Sequence, residues 1–488
     1  MSSLIPRSWR IPHSSLSSTI SPRRARQLRL QLPISLPISL SHQAPIQTRH
    51  NSKAANEPWR PTHIIDEWVA KEARPISLRQ LMVFGRSLTE ARLISSANYV
   101  RTELPVRLAH RIRDMQKLPY VIVTNPHLRS MYDSYYNAFD VFRKVKEIKT
   151  LEDNDRFCEV IRRNLKSHLT VIPKLAMGIL ECGELLDPKI LDNFMNTMLR
   201  SRISRRVIAE QHLALTETYK SETLPSGSGS GSGLSDSEFI GQIFIKCCAK
   251  DVIDRCAHAV TALALALNGP HVKVPEITID GHLDASFPYI LSHLEYIIGE
   301  LLRNSVQAVI DRQRSRGNDD HSAAATPPPV EVTICANQEH VIIRISDRGG
   351  GIPREELPHL WSFSKGPQSQ ARLENLGQVP RMAATMQELL VEGGPADAAD
   401  RDELLRSSIY QDYQGYQTFQ GSLASLTSRP PSLRLGMGLP LSRVYAEYWA
   451  GSLNLHSLEG YGVDAFLQIS RLGNKNEQLT TRASMDAV

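Results

Sequence analysis

Residues 341–352 read V-I-I-R-I-S-D-R-G-G-G-I, a β-branched run that ends in an acidic residue and a glycine triplet. β-Branched residues suit a buried, pleated strand, so the run predicts a strand with Asp347 at its end. Gly349 and Gly351 then permit the backbone conformations and the close approach that a ligand at this turn requires. Taken alone, the pattern is equally compatible with a simple tight turn.

A helix predicted upstream contains Glu300 and Asn304. The spacing of four places both side chains on one helical face, one turn apart. An asparagine carbonyl oxygen suits a Mg²⁺ ion that already binds phosphate oxygens and retains waters. A carboxylate one turn earlier can polarise a hydroxyl or a water near a γ-phosphate. An isolated E-x-x-x-N usually marks ordinary solvated positions, so the interpretation depends on the glycine motifs downstream.

Further downstream, Gly436 and Gly438 precede a helix predicted to begin at Pro440, a residue tolerated in a first helical turn. Backbone N–H groups at such a helix start attract phosphate oxygens. The sequence lacks the G-x-x-x-x-G-K-[ST] pattern of a P-loop. The helix, the strand end and the second glycine turn, in this order, predict a nucleotide pocket of another type.

The 488 residues divide into two differently patterned halves. From 75 to 220, apolar residues recur at spacings of three and four, which predicts an antiparallel helix bundle, with Pro105 in a first helical turn. A Gly/Ser linker at 221–236 separates it from residues 237–472, where alternating helix and strand patterns predict a two-layer α/β sandwich. The predicted class is therefore α + α/β, and residues 473–488 are predicted to form a disordered tail.

Two polar segments, 317–329 and 368–431, interrupt the sandwich pattern. A loop as long as the second inside a compact domain is usually a lid or disordered. We therefore predict that both segments are insertions and that 368–431 is an inserted lid.

The net charge of +6 is concentrated at the N-terminus, where residues 1–56 contain seven arginines and no Asp or Glu. This composition is typical of a mitochondrial or plastid transit peptide. The alternative, a basic arm for nucleic acid or lipid, is less favoured because such arms usually contain Lys and none precedes Lys53. No run of about eighteen apolar residues predicts a transmembrane segment, and the six cysteines, which have no paired metal spacing, predict free thiols in a reducing compartment.

The three nucleotide motifs resemble the N, G1 and G2 boxes of the gyrase, Hsp90, histidine-kinase and MutL (GHKL) ATPase superfamily. The residues within and around these motifs resemble one family of the superfamily more specifically, the mitochondrial kinases of the 2-oxoacid dehydrogenase complexes. The stretches that carry this resemblance are I-S-D-R-G-G-G-I, G-L-P-L-S-R-V-Y-A-E-Y and S-L-E-G-Y-G-V-D-A. The helical half agrees through E-L-P-V-R-L-A-H-R-I at 103–112, S-R-I-S-R-R at 201–206 and Q-H-L-A-L at 211–215. The resemblance covers about residues 75–472 apart from the insertions.

Within this family the chain resembles the branched-chain 2-oxoacid dehydrogenase kinase more closely, through I-D-G-H-L-D-A-S-F-P at 279–288 and through Tyr296. Pyruvate dehydrogenase kinases tend to have a histidine at that tyrosine and a longer C-terminal tail with an Asp-Trp pair. The resemblance implies a serine protein kinase of the mitochondrial matrix that phosphorylates and inactivates an E1α subunit. The alternatives are a pyruvate dehydrogenase kinase and a non-catalytic ATP-binding regulator.

The resemblance also implies ATP, Mg²⁺ and K⁺ as cofactors, and E1α, a lipoyl-bearing E2 core and a second copy of the chain as partners, with no nucleic acid. Glu300 would be the general base, Asn304 the Mg²⁺ ligand and Asp347 the acceptor for the adenine amine. The other implied nucleotide contacts are Gly349, Gly351, Ser364, Lys365, Gly436, Gly438 and Leu439. The implied K⁺ ligands are the backbone carbonyls of Leu360, Ser362, Phe363 and Gly436.

Four positions bear on that comparison. Lys365 stands where the family usually has a second hydroxyl residue, Val463 replaces a usual Thr beside adenine, and Arg434 replaces a usual Gly. His168 matches a helical-domain histidine of the family, and direct transfer to serine is favoured over a phosphohistidine mechanism.

Overall fold

The computed structural model describes residues 62–223, 239–317, 326–366, 369–382 and 434–479. The predicted transit segment 1–56 lies outside these residues, as do most of the linker and most of both insertions. Among the helices that the structure describes, none has the length and apolar composition needed to span a bilayer.

The N-terminal half is helical, as predicted. Its helices are α1 (Thr62–Val69), α2 (Leu78–Gly85), α3 (Glu90–Gln116), α4 (Tyr120–Val123), α5 (Pro126–Arg143), α6 (Leu151–Ser167), α7 (Val171–Glu181) and α8 (Pro188–Thr223), with a 3₁₀ turn at His168–Thr170. Local side chains fix several starts: Ser77 and Gln80 form a reciprocal capping box before α2, and Asn125 caps α5 just before Pro126. α3 packs against α5 and α8 to form the bundle core.

The prediction that Pro105 lies in a first helical turn is wrong, because Pro105 lies in the interior of α3. A proline there typically costs about 3 kcal/mol relative to alanine. Its neighbours Leu104, Val106 and Leu108 are almost fully buried. Their packing holds the helix through the proline, which local propensity alone does not predict.

The C-terminal half contains β1 (Phe239–Ile240), β2 (Ile243–Cys248), α9 (Ala249–Asn268), β3 (Ile277–Gly281), β4 (Ser286–Ile290), α10 (Leu291–Gly317), β5 (Val330–Ala336), β6 (His340–Asp347), a 3₁₀ turn at Leu357–His359, α11 (Ser369–Gly377), α12 (Gly438–Tyr448), β7 (Ser452–Leu458) and β8 (Gly462–Ser470). The main sheet has the order β3-β5-β6-β8-β7, with β3 and β5 parallel and the other pairs antiparallel. On β5 and β6, buried residues alternate with more exposed ones, and α10 packs against both strands. This arrangement confirms the predicted α/β class.

A second, small antiparallel sheet of order β1-β2-β4 was not predicted. Its strands are short, and the register between β2 and β4 shifts between Phe244 and Cys247. Such a bulge breaks the simple alternation on which strand prediction depends. The sheet leads directly into α10, the helix that contains Glu300 and Asn304.

The prediction of a disordered tail from residue 473 is wrong for residues 473–479, which lie within the fold. Asn476 forms a β-bridge with Ser77, and the Glu477 N–H donates to the Ile76 carbonyl at 2.8 Å. The Glu477 side chain is fully buried and accepts hydrogen bonds from Arg107 at 2.8 Å and from the Tyr448 hydroxyl. These residues therefore join α3, α12 and the chain's C-terminal segment.

Candidate active site

A cavity of about 640 Å³ lies between α10, the 3₁₀ turn before residue 360, α11 and the start of α12. Of the predicted site residues, those that line it are Asn304, Leu360, Ser362, Lys365, Gly436, Gly438 and Leu439. The described lining also includes the basic side chains Arg303, Arg314, Lys365, Arg372 and Arg434 and the carboxylates Asp311 and Glu356. This excess of positive charge suits a ligand with several phosphate groups.

Glu300 belongs to α10, and its carboxylate lies against the start of α12 beside Gly438, which lines this cavity. Its side chain is 3% exposed, and its Oε2 atom accepts from the Arg303 guanidinium at 2.6 Å. A Cβ atom at Gly438 would overlap Glu300 Oε2. Only glycine at that position lets the carboxylate approach the helix start, where phosphate oxygens would bind.

Asn304 lies one turn after Glu300 and is exposed to the cavity. The opposite side of α10 is fixed in the core by Ile297, Ile298 and Leu302, each of them completely buried. Glu300 and Asn304 therefore lie on one face of α10, as predicted. The Glu300 carboxylate is buried and hydrogen-bonded, whereas the Asn304 amide is accessible to a ligand. No cluster of His, Cys, Asp or Glu in the described ranges could hold a metal ion alone. A Mg²⁺ at Asn304 would therefore need phosphate oxygens and waters as its other ligands.

Asp347 is 5% exposed at the end of β6 and accepts from the Ser305 hydroxyl and from the Gly349 N–H, each at 2.9 Å. Burial raises the pKa of this carboxyl, although hydrogen bonds from Gly349, Ser305 and Val463 oppose the shift. Asp347 and Gly349 are not among the lining residues; a Cβ at Gly349 would press against Ala308, which does line the cavity. They therefore form the layer directly behind the cavity wall.

Gly351 serves packing. Its φ is +75°, and a Cβ there would overlap the carbonyl oxygen of Leu458 at the end of β7. The requirement for glycine at this position thus follows from the neighbouring strand, and Gly351 does not line the cavity.

Asp192 of α8 binds residues 362–364, the segment just before Lys365. Its carboxylate accepts from the Phe363 N–H at 2.9 Å, the Ser364 N–H at 3.0 Å and the Ser362 hydroxyl at 2.6 Å. Ser364 is consequently buried against the helical half and does not line the cavity, whereas Ser362 and Lys365 do. No local sequence pattern indicates Asp192, because its role depends on a contact between the two halves.

Two of the four predicted K⁺ ligands already bind a positively charged side chain. The carbonyls of Phe363 and Gly436 accept hydrogen bonds from the guanidinium of Arg372 at 3.1 and 3.4 Å, whereas Leu360 and Ser362 line the cavity. Arg372 belongs to α11 and is 7% exposed. A cation already occupies the position between two of the four expected ligands, so the residues present do not fit a K⁺ ion there.

Two further residues are placed by the structure. Arg434 forms an exposed ion pair with Asp311 at 3.2 Å across the cavity, and its carbonyl accepts from Asn375 at 3.1 Å. His168 is buried in the helical half, where its ring lies 5.4 Å from that of Tyr135, and burial lowers its pKa to about 3. His168 is not among the residues that line the cavity.

The α/β half with its helix–strand-end–glycine site defines an ATP-binding domain of the GHKL class. Residues 290–471 match the family profile of the histidine kinase-, DNA gyrase B-, and HSP90-like ATPases. Residues 75–244 match the profile described as mitochondrial branched-chain alpha-ketoacid dehydrogenase kinase.

Curated relatives cover most of the chain. It is 31% identical to the mitochondrial [pyruvate dehydrogenase (acetyl-transferring)] kinase 2 of Saccharomyces cerevisiae, over 86% of each protein. It is 28% identical to the mitochondrial [pyruvate dehydrogenase (acetyl-transferring)] kinase of Arabidopsis thaliana, over 85% of the chain and 95% of the relative. It is 27% identical to the mitochondrial [pyruvate dehydrogenase (acetyl-transferring)] kinase isozyme 4 of Mus musculus, over 82% of each protein. The chain belongs to the mitochondrial 2-oxoacid dehydrogenase kinase family, as its motifs predicted.

Proposed function

We propose that the chain is an ATP-dependent protein-serine kinase that phosphorylates and inactivates the E1α subunit of the mitochondrial pyruvate dehydrogenase complex. The observation that supports a transferase most directly is the placement of the buried Glu300 carboxylate against the glycine start of α12. The sequence analysis favoured the branched-chain complex. The relatives described above are named as pyruvate dehydrogenase kinases, and they favour the pyruvate complex instead.

In the proposed reaction, the N–H groups at the start of α12, with Gly436, Gly438 and Leu439, bind phosphate oxygens. Asn304 would hold Mg²⁺, which supplies charge neutralisation at the phosphates when it is bound. Lys365 lines the cavity and would add a point charge to the β- or γ-phosphate.

Glu300 would orient the acceptor serine hydroxyl and take its proton at Oε2 as the Oγ–phosphorus bond forms and the bond between the γ-phosphorus and the bridging oxygen breaks, with ADP as the leaving group. The Arg303 guanidinium, 2.6 Å from Glu300 Oε2, keeps the carboxylate in place before the transfer. At the other end, Asp347 would accept a hydrogen bond from the adenine amine, once the base reaches past the wall formed by Ala308.

The proposal extends to location and partners. The relatives carry mitochondrial names, and the arginine-rich, acid-free segment 1–56 would be removed on import into the matrix. The helical half would dock on a lipoyl-bearing E2 domain and so bring the kinase to E1. The functional form of the kinase would be a homodimer. Pull-down with lipoylated and unlipoylated E2 domains tests the docking.

The branched-chain complex is the second candidate substrate, because the profile matched by residues 75–244 is named for its kinase. Transfer of radiolabelled phosphate from ATP to the two purified E1 proteins separates the candidates. We expect labelling of pyruvate dehydrogenase E1α on serine.

Glu300→Gln should lower transfer by about 10²–10⁴-fold, the usual contribution of a general base, without loss of ATP binding. Glu339→Gln, which changes an exposed glutamate in the β5–β6 turn, is the matched control and should keep full transfer. Labelling of branched-chain E1α alone would reassign the substrate, and full activity of Glu300→Gln would remove the assigned base.

A further inference from the structure

The guanidinium of Arg372 is surrounded by backbone carbonyl oxygens. Its Nε donates to Leu435 at 3.3 Å and its Nη1 to Lys365 at 3.4 Å, while its Nη2 donates to Phe363 at 3.1 Å and to Gly436 at 3.4 Å. These four carbonyls come from two chain segments, one after the 3₁₀ turn and one before α12. Arg372 therefore ties together two walls of the ATP cavity that are distant in sequence.

Both segments are shaped to admit the guanidinium. Gly436 has a φ of +65°, and a Cβ there would overlap Arg372 Nε. Gly366 has a φ of +151°, and a Cβ there would lie 3.0 Å from Arg372 Nη1. A side chain at either glycine would push against the arginine, so the backbone of each segment is fitted to it.

The chemistry of this position is that of a monovalent cation site. Several carbonyl dipoles point at one buried positive charge, and within the described residues its hydrogen-bond partners include no carboxylate. Asp192 acts on Arg372 electrostatically and opposes the effect of burial, which lowers the pKa of the guanidinium. Two of the carbonyls, those of Phe363 and Gly436, are also ligands that the family resemblance assigns to K⁺.

We propose that the Arg372 guanidinium is the built-in cation of this carbonyl site, so that the protein keeps its nucleotide site in shape without bound K⁺. A covalently attached cation cannot be diluted away, and its planar group can bridge carbonyls from both segments at once. The inference rests on the proposed ATP site only for its nucleotide readout.

The first test is nucleotide affinity, measured by calorimetry with ADP and Mg²⁺ in KCl and in choline chloride at equal ionic strength. Choline has no N–H group and is too bulky to replace K⁺ between carbonyls. We expect the wild-type affinity to change by less than about twofold between the salts, and Arg372→Ala to bind at least about tenfold more weakly in choline chloride. K⁺ or low-millimolar guanidinium should restore much of the loss in Arg372→Ala.

Arg354→Ala, which removes an exposed arginine from the preceding loop, is the control for a simple loss of positive charge and should behave as the wild type. Arg372→Lys is the second variant, because it retains a charge but cannot reach all four carbonyls. It should bind with intermediate affinity and gain less than Arg372→Ala from added K⁺.

The second test needs no nucleotide. Melting temperatures of the full-length proteins are compared in the same two salts, and K⁺ should stabilise Arg372→Ala more than the wild type. If the wild type itself loses at least about tenfold in affinity or melts markedly lower without K⁺, the proposal is overturned. It is also overturned if Arg372→Ala matches the wild type in choline chloride. Failure of the wild type and of every variant to bind ADP in either salt would reject the proposed ATP site. The melting temperatures would still test whether Arg372 takes the place of K⁺.

Discussion

Replacing Glu477 by alanine tests whether the C-terminal segment is part of the folded core. The Glu477 side chain is 0% exposed, and its partner Arg107 is 2% exposed, with 2.8 Å between Oε1 and Nη2. Breaking a buried ion pair by removing one partner typically costs about 3–5 kcal/mol, because the other charge stays buried. Arg107 retains Glu103 at 3.4 Å, so we expect a value near the lower limit, about 3 kcal/mol.

Two further losses add to this change. The Tyr448 hydroxyl donates to Glu477 and would lose a buried acceptor, and the Ile76 N–H would lose the Glu477 carboxylate at 3.1 Å. Glu477→Gln removes the charge but keeps one oxygen that can still accept from the Ile76 N–H, while its amide NH2 can donate to the Tyr448 hydroxyl oxygen, so it should destabilise less than Glu477→Ala. The difference between the two variants separates the hydrogen bonds from the ion pair.

The assay is urea unfolding followed by tryptophan fluorescence, together with hydrogen–deuterium exchange of residues 473–479. In Glu477→Ala, the amides that donate to Ile76 and Tyr448 should lose protection. Glu67→Ala is the matched control, because Glu67 forms an exposed pair with Lys71 at 3.8 Å, and exposed pairs contribute about 0–1 kcal/mol. If Glu477→Ala proves no more destabilising than Glu67→Ala and protection is unchanged, the assigned role of the segment is wrong.

Two more outcomes are expected. Asp347→Ala should weaken ADP binding by about 10–100-fold in calorimetry, because a buried adenine donor would lose its acceptor. The control Asp464→Ala, on β8, should bind ADP as the wild type does. Equal ADP affinity of the two variants would remove Asp347 from the site. Burial lowers the pKa of His212 to about 4. Below the ordinary value of about 6.5, the unfolded chain therefore binds more protons than the folded chain. The contribution of His212 to the free energy of unfolding is fully present above about pH 6.5 and is lost as the pH falls. Between about pH 7.5 and pH 5 this loss is about 2 kcal/mol; urea titrations should show a smaller drop for His212→Gln, and identical drops would contradict the assignment.

The sequence alone predicted the parts of the site that depend on local geometry. Helical periodicity was enough to place Glu300 and Asn304 on one face of α10, because the core residues between them define the opposite face. The strand that ends at Asp347 and the glycines before α12 were likewise predicted, since β-branched composition and turn chemistry act over a few residues. These short-range rules were sufficient to indicate a nucleotide pocket, and the resemblance of the motifs to known proteins indicated the family.

Local rules were misleading where long-range packing outweighs them. Pro105 reads as a helix start, yet buried neighbours hold it inside α3. The bulged β2 strand does not alternate cleanly, so the small sheet was missed. Gly351 was predicted at a ligand turn from local sequence, and the structure adds a long-range reason for glycine there, because a Cβ would overlap the end of β7.

Tertiary structure alone decided the partners of the buried charges. Asp192 lies 171 positions before the Phe363 N–H that it accepts from, and Arg107 lies 370 positions before Glu477. Arg372 reaches the Leu435 carbonyl across 63 positions, over a stretch that the sequence marks only as polar. Periodicity states which face of an element is buried, but it does not state which charge lies opposite. A buried charge is stable only beside a specific acceptor or counter-charge, and that neighbour is defined only when distant segments of the chain have packed together.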